Sequence, residues 1–200
     1  MANFTPAYNL VAAAEGGYQK FTEDPGNFNS LGQLVGTNWG INAKVYEAHI
    51  GRPPSESDMR LMLKTTAKAI YKAKYWDRIQ GDSIHNQGVA NVLFDGHVNH
   101  GGWGVQMMQE VIGVDTDAKV GPITLNALNT GNPNTIINRY IERREKAYRY
   151  IAANRAGMSK FLNGWLNRLQ KFVTDQPGGT NGAVGVLLIA AAAAWWASRN

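Results

Sequence analysis

Ala14-Glu15-Gly16-Gly17-Tyr18, then Asp24-Pro25-Gly26, then Gly36-Thr37-Asn38-Trp39-Gly40-Ile41 are the segments that decide the reading of this chain. They lay two carboxylates and a hydroxyl on a helix end and the loop that leaves it. Upstream, Thr5 and Pro6 predict a helix start, with Thr5 as cap and Pro6 in the first turn. Tyr8, Val11 and Ala12 recur at helical spacing, and Gly16-Gly17 ends the helix. Glu15 therefore falls at a helix C-terminus, where the macrodipole disfavours negative charge and favours a protonated acid. Each residue also has an ordinary role: a helix stop, an Asp before Pro in a turn, a loop threonine. The ordered set is what hydrolysis of a glycosidic bond uses, an acid for the leaving group and a second carboxylate for water or the sugar.

Outward from this segment the chain reads as helix after helix. Residues 24–40 hold seven Gly or Asn and read as a loop with a small hairpin around residues 31–35. Asn42 caps a short helix to residue 50, closed by Gly51-Arg52-Pro53-Pro54. Ser55 and Asp58 resemble a capping box, and Met59, Met62, Leu63, Ala67, Ile70 and Tyr71 form one stripe of a helix running towards Tyr75-Trp76. Further helices are expected over 87–99, 103–112, 124–128, 134–154 and 160–173. The fold class is mainly α, with one β-leaning loop.

Two hundred residues, 44% of them apolar, suffice for one good core or one core and a small second lobe. There is no cysteine, so neither disulfides nor thiolate metal sites enter. The first six residues lack the basic and apolar regions of a cleavable secretory signal. A net charge of +5 suits a polyanionic partner, and much of the excess lies at Arg139, Arg143, Arg144, Lys146, Arg149, Arg155, Lys160, Arg168 and Lys171. These read mainly as a solvated helix face, with attraction to an anionic wall as the functional alternative. After Pro177-Gly178-Gly179-Thr180-Asn181, sixteen residues from 182 to 197 carry no charge and end near Trp195-Trp196. As a helix that run spans about 24 Å, and with its tryptophans it reads as a membrane anchor.

The three segments resemble glycoside hydrolase family 108, bacterial and phage muramidases of the lysozyme-like superfamily, whose pattern is an EGGY segment, an Asp-Pro/Lys-Gly-Gly turn and Thr-x-x-Gly-Ile. The resemblance implies Glu15 as general acid, Asp24 as base or electrostatic partner and Thr37 as the hydroxyl that orients water. Two departures stand out. Asn27 takes the place of the second Gly, and residues 28–36 look like an insertion before Thr37; Glu23 is a second carboxylate beside Asp24. Downstream, Phe94-Asp95, Val98-Asn99-His100-Gly101, Gln109, Gly113-Val114, Asp117, Val120-Gly121-Pro122 and Thr124 look like the predicted peptidoglycan-binding region that follows this catalytic domain, and Gly164-Trp165-Leu166-Asn167-Arg168 matches its closing motif.

The expectation is thus a lysozyme-like muramidase cutting the β-1,4 bond between N-acetylmuramic acid and N-acetylglucosamine, a phage endolysin or wall-remodelling enzyme. The rival is a non-catalytic wall-binding scaffold. Tyr18, Asn38, Trp39, Asn99 and Trp103 are the expected substrate contacts. His97 and His100 near Asp95 read as structural rather than metal-binding, and Asp115-Thr116-Asp117 is rejected as a calcium loop because Lys119 follows. No metal or cofactor is expected. The expected partner is peptidoglycan rather than nucleic acid, and the expected state is a monomer. Residues 1–84 are expected to form the catalytic region, 85–175 the helical wall-binding region packed on it, 176–181 a linker and 182–198 a transmembrane helix. That tail would place the enzyme on the inner membrane, acting in the periplasm or at the wall.

Overall fold

The computed structural model describes residues 1–12 and 16–174. Glu15, the linker 176–181 and the apolar stretch 182–198 lie outside the described residues. Among those described, nine α-helices account for most of the chain: α1 Phe4–Ala12, α2 Ala43–Ile50, α3 Glu56–Leu61, α4 Lys64–Tyr71, α5 Gln87–His100, α6 Gly102–Ile112, α7 Pro122–Thr130, α8 Pro133–Asn154 and α9 Leu162–Thr174. Between α1 and α2 the chain is irregular and is pinned by three isolated antiparallel bridges, Gln19 with Thr37, Phe28 with Leu34, and Asn38 with Ile41.

Helix ends follow from local chemistry. Asn42 accepts from Val45 N at the start of α2, and Gly51 closes it in the left-handed region at φ 71°. Ser55 and Asp58 complete a reciprocal capping box on α3. At α1 the expected cap shifts by two residues: Thr5 is already inside the helix, and Asn3 Oδ1 accepts from its N–H at 2.8 Å. The single helix expected after the Ser55 cap and running towards Tyr75-Trp76 is divided into α3, α4 and a π turn, Lys72–Trp76. The break after Leu61 has a partner elsewhere in the sequence. Asn38 Nδ2 donates to the Met59 carbonyl at 2.8 Å and Trp39 Nε1 to the Met62 carbonyl at 2.9 Å. These supply the hydrogen bonds that carbonyls at a helix C-terminus otherwise lack.

Helix α5 is the centre of the molecule. Val89, Ala90, Val92, Leu93 and Phe94 are all buried, and it packs against α1, α6, α8 and α9. A helix apolar on several sides belongs in a core. Phe4, Tyr8, Tyr71, Trp76 and Phe94 form an aromatic cluster over its first half, with T-shaped or tilted pairs such as Phe4–Phe94 at 5.8 Å. Over its second half the backbones come closer. A Cβ on Gly96 would overlap the Tyr140 hydroxyl, which donates to the Gly104 carbonyl at 2.9 Å.

The basic face expected along residues 139–171 is interrupted. Arg144 is fully buried and Arg168 is 6% exposed; both reach the buried Asp95, at 2.7 and 2.5 Å. Arg143 pairs with Glu110 and Arg149 with Glu145 at the surface. The expected membrane anchorage is corrected: among the described residues no helix is long and apolar enough to cross a membrane.

Candidate active site

The loop after α1 is built around Asn27. Asp24 caps the 3-10 turn Pro25–Asn27, its Oδ1 accepting from Gly26 N at 2.8 Å. That turn brings Asn27 inside, where it is fully buried. Its main-chain carbonyl accepts from Val35 N at 2.8 Å and Gly36 N at 2.9 Å. The supposed insertion, residues 28–36, therefore closes on itself: Phe28 bridges Leu34, Asn29 Oδ1 accepts from Leu31 N and Gln33 N, and the chain returns beside Asn27. Loop length does not carry Thr37 away. The Gln19–Thr37 bridge, with both N–H to O distances at 2.9 Å, seats it opposite Gln19.

Gly36 makes the return possible. Its φ is +92°, and a Cβ there would lie 2.6 Å from the Gln19 carbonyl and 2.7 Å from the Tyr18 ring. Only a residue without a side chain fits both constraints.

Four side chains are then joined by hydrogen bonds. Thr37 Oγ1 donates to Asn27 Oδ1 at 2.7 Å. Asn27 and Gln19 pair reciprocally, Nδ2 to Oε1 at 3.0 Å and Nε2 to Oδ1 at 3.1 Å. Gln19 Nε2 also reaches Asp24 Oδ2 at 3.4 Å. Asp24 is half-buried and Thr37 is 9% exposed. The structure thus unites Asp24 and Thr37, two of the three expected catalytic residues, through two amides that the sequence reading passed over. Glu15 lies outside the described residues. Asn27 was visible only as a departure from glycine, and Gln19 carried no signal at all. Glu23 is exposed.

Asp24 Oδ1 is occupied by the turn, which leaves Oδ2, with its single long contact, as the oxygen available to a reacting molecule. Thr37 has its proton committed inward, and its lone pairs can accept. Together they provide two acceptors, one of them able to take a proton.

The expected substrate contacts fall into different settings. Tyr18 donates its hydroxyl to the Val35 carbonyl at 3.0 Å, and the Arg60 guanidinium covers its ring at 4.1 Å. Burial and the neighbouring Glu56 hold the Tyr18 phenol above its ordinary pKa, so it stays protonated. Glu56 itself, bonded by Lys20 and Arg60, is held down to about 2. Asn38 is buried on the end of α3. Trp39 is half-buried in the left-handed region at φ 51°, followed by Gly40 at φ 73°, and Lys64 lies 5.6 Å from its ring. A bulky residue at positive φ is a local cost of about 1–3 kcal/mol that a functional surface often explains. Asn99 is 4% exposed inside α5, donating to the Asp95 carbonyl at 2.6 Å. Trp103 is half-buried against His100, edge to face at 5.5 Å. Asn99 and Trp103 belong to the α5–α6 corner, while Tyr18, Asn38 and Trp39 belong to the loop that carries Asp24 and Thr37.

His97 donates its Nδ1–H to the Tyr75 carbonyl, 3.0 Å away, and His100 is buried against Tyr148 at 4.9 Å. Asp117 accepts from Gln109 Nε2 and Lys119 N, both at 2.8 Å. Among the described residues no three acidic or histidine side chains are grouped to hold a metal ion.

The family model described as Glycosyl hydrolase 108 matches residues 8–101, a span that includes Glu15, Asp24 and Thr37. A second, described as Predicted Peptidoglycan domain, matches residues 103–170. The two meet in the turn between α5 and α6, whereas the expected boundary at 84/85 precedes α5. No curated protein matches the chain. Among solved structures, the chain is similar to "Structure of Brucella abortus SagA", with 31% identity over 84% of this chain and 90% of that one and a TM-score of 0.71. With this relative covered almost end to end and both matches in sequence order, the chain belongs to the glycosyl hydrolase 108 family and is a glycoside hydrolase that acts on peptidoglycan.

Proposed function

We propose that the chain is an N-acetylmuramidase, cleaving the β-1,4 bond between N-acetylmuramic acid and N-acetylglucosamine. The observation that carries this reading is the hydrogen-bonded unit joining Asp24 to Thr37 through Gln19 and Asn27. A muramidase has to break a C1–O4 bond and deliver water to C1. In this reading Glu15, nine residues before Asp24, gives its proton to the departing O4. A water held by Asp24 Oδ2 and Thr37 Oγ1 attacks C1, and its proton passes to Asp24. Trp39 borders the same loop and offers aromatic surface to the sugar rings, while Tyr18, its ring covered by Arg60 and its hydroxyl bonded to Val35, braces that loop. Residues 103–170 hold the polymer, so that the loop meets successive disaccharides.

The test compares the full chain with its Glu15→Gln and Asp24→Asn variants on purified peptidoglycan, with released fragments identified by mass spectrometry. The parent alone should release fragments with a new reducing-end N-acetylmuramic acid, and each variant should lose at least about 100-fold in rate. New reducing-end N-acetylglucosamine instead would assign a different glycosidic bond. Equal release by parent and variants would put the acid and base elsewhere. Wall binding without release by the parent would favour the scaffold.

A further inference from the structure

The direction of every hydrogen bond in the Asp24–Thr37 unit can be traced to one residue that does not itself face the substrate in that reading. A main-chain carbonyl only accepts and a main-chain N–H only donates. The Phe21 carbonyl lies 2.8 Å from Asn27 Nδ2, and the Phe21 N–H lies 3.2 Å from Gln19 Oε1. Phe21 therefore fixes the sense of both amides. With Nδ2 turned to Phe21, Asn27 presents Oδ1 to Thr37, and Thr37 must donate. With Oε1 turned to Phe21, Gln19 presents Nε2 to Asn27 Oδ1 and to Asp24 Oδ2. Reversing either amide would set oxygen against oxygen and nitrogen against nitrogen throughout.

We propose that Gln19 and Asn27 are positioning residues for this reaction: their amide pair turns the Thr37 hydroxyl into a pure acceptor on its outer side and steadies Asp24 Oδ2. The proposal rests on the muramidase reading of the loop. A water between Thr37 and Asp24 then has to donate one hydrogen to Oγ1 and the other to Oδ2. Both of its protons point into the protein and its lone pair points out, towards the sugar carbon. If Thr37 could turn its own proton outward, it would compete for that lone pair and hold the water in the unreactive sense. Asn27 thus contributes what the glycine of the family pattern cannot, an acceptor in the buried position behind the threonine.

A double-substitution cycle on soluble glycan strands tests this. Thr37→Val should lower kcat about 100-fold with KM within about twofold, as loss of nucleophile positioning does. Asn27→Ser should lower kcat about 10- to 100-fold, and in the Thr37→Val background it should add less than about threefold, because Asn27 acts through Thr37. Gln19→Met keeps the length of the side chain and removes the amide. It should lower kcat about tenfold with KM within about twofold, since Asn27 and Asp24 Oδ2 both lose the donor that orients them. Thermal unfolding of each variant separates loss of position from loss of fold. Multiplicative losses for Asn27→Ser and Thr37→Val would overturn the proposal. If Asn27→Ser does not fold, Gln19→Met decides: an unchanged kcat, or a loss carried by KM alone, would overturn it equally. Full activity in both Asp24→Asn and Thr37→Val would sink the muramidase assignment of this loop, and the positioning role with it. Loss in those two variants with a multiplicative cycle would sink the positioning role alone.

Discussion

Gly36→Ala is the substitution that most sharply tests how the loop is held. Its φ of +92° is a region that L side chains rarely adopt, and the alanine Cβ would stand 2.6 Å from the Gln19 carbonyl and 2.7–2.8 Å from two carbons of the Tyr18 ring. The backbone term is about 1–3 kcal/mol. The overlap adds about 1–3 kcal/mol, as overpacking does where the neighbours are rigid. The Gln19 carbonyl cannot step aside cheaply, because it accepts from Thr37 N in the bridge that seats Thr37. The total, about 4 kcal/mol, corresponds to a fall in Tm of roughly 8–16 °C for a chain of this size. Circular dichroism melting of the full chain measures it, with hydrolysis of soluble glycan strands followed in parallel. Activity should fall at temperatures well below the melt, since Thr37 is displaced before the helices open. Adding Tyr18→Ala should not restore the fold, because the clash with main chain and the positive φ both remain. A Tm within about 2 °C of the parent with full activity would refute the argument that this return of the chain has no room for a side chain.

Gly96→Ala makes the opposite case, since the offending atom is the Tyr140 hydroxyl. It should cost about 2–5 kcal/mol through overpacking and the lost bond to the Gly104 carbonyl, and Tyr140→Phe in the same chain should recover part of the Tm rather than lower it further. Asp95→Asn removes the carboxylate between Arg144 and Arg168, and urea denaturation should show about 3–5 kcal/mol lost; a loss below about 1 kcal/mol would mean that the arginines find equal partners elsewhere. His97 and His100 are held below the usual imidazole pKa, chiefly by burial. The unfolded chain therefore binds more protons than the folded one below about pH 6.5, so Tm should decline as pH falls from about 6.5 towards 5, and His100→Gln should flatten that slope; an unchanged slope would remove His100 as its source.

Helix ends were legible where a capping side chain and the N–H it accepts from are neighbours in sequence, as at Asn42 with Val45 and at Ser55 with Asp58. Local hydrogen bonds decide such ends, and three or four residues contain the whole argument. The break between α3 and α4 was not legible, because the groups that satisfy its carbonyls are Asn38 and Trp39, more than twenty residues upstream, while the apolar stripe runs through the break without interruption. Arg144 and Arg168 looked like surface charge for the same reason. A buried guanidinium is recognisable only once its counterion is known, and Asp95 lies 73 residues from Arg168 in the chain. In the candidate site, Asp24 and Thr37 stood out by chemistry and order, and the structure joins them. Gln19 and Asn27 were missed because amides have no distinctive composition signal and act only through orientation, which three-dimensional contact determines. The reading of a membrane anchor came from a terminal uncharged run and its paired tryptophans, and such a run does not by itself tell a spanning helix from a buried one.

Helix α5 closes the stretch assigned to hydrolysis, yet it packs against α6, α8 and α9, which belong to the stretch assigned to wall binding. The two functions therefore cannot be separated like beads on a string. A fragment ending at residue 101 would present to water the side of α5 that holds Gly96 against Tyr140 and Asp95 against Arg144 and Arg168, with a buried carboxylate left without its guanidiniums. A fragment beginning at 103 would lose the helix around which its own are arranged. Any attempt to transplant the Asp24–Thr37 loop onto another wall-binding module has to carry the whole helical body with it, and any adjustment of the second half is felt as a change in the mechanical footing of the first.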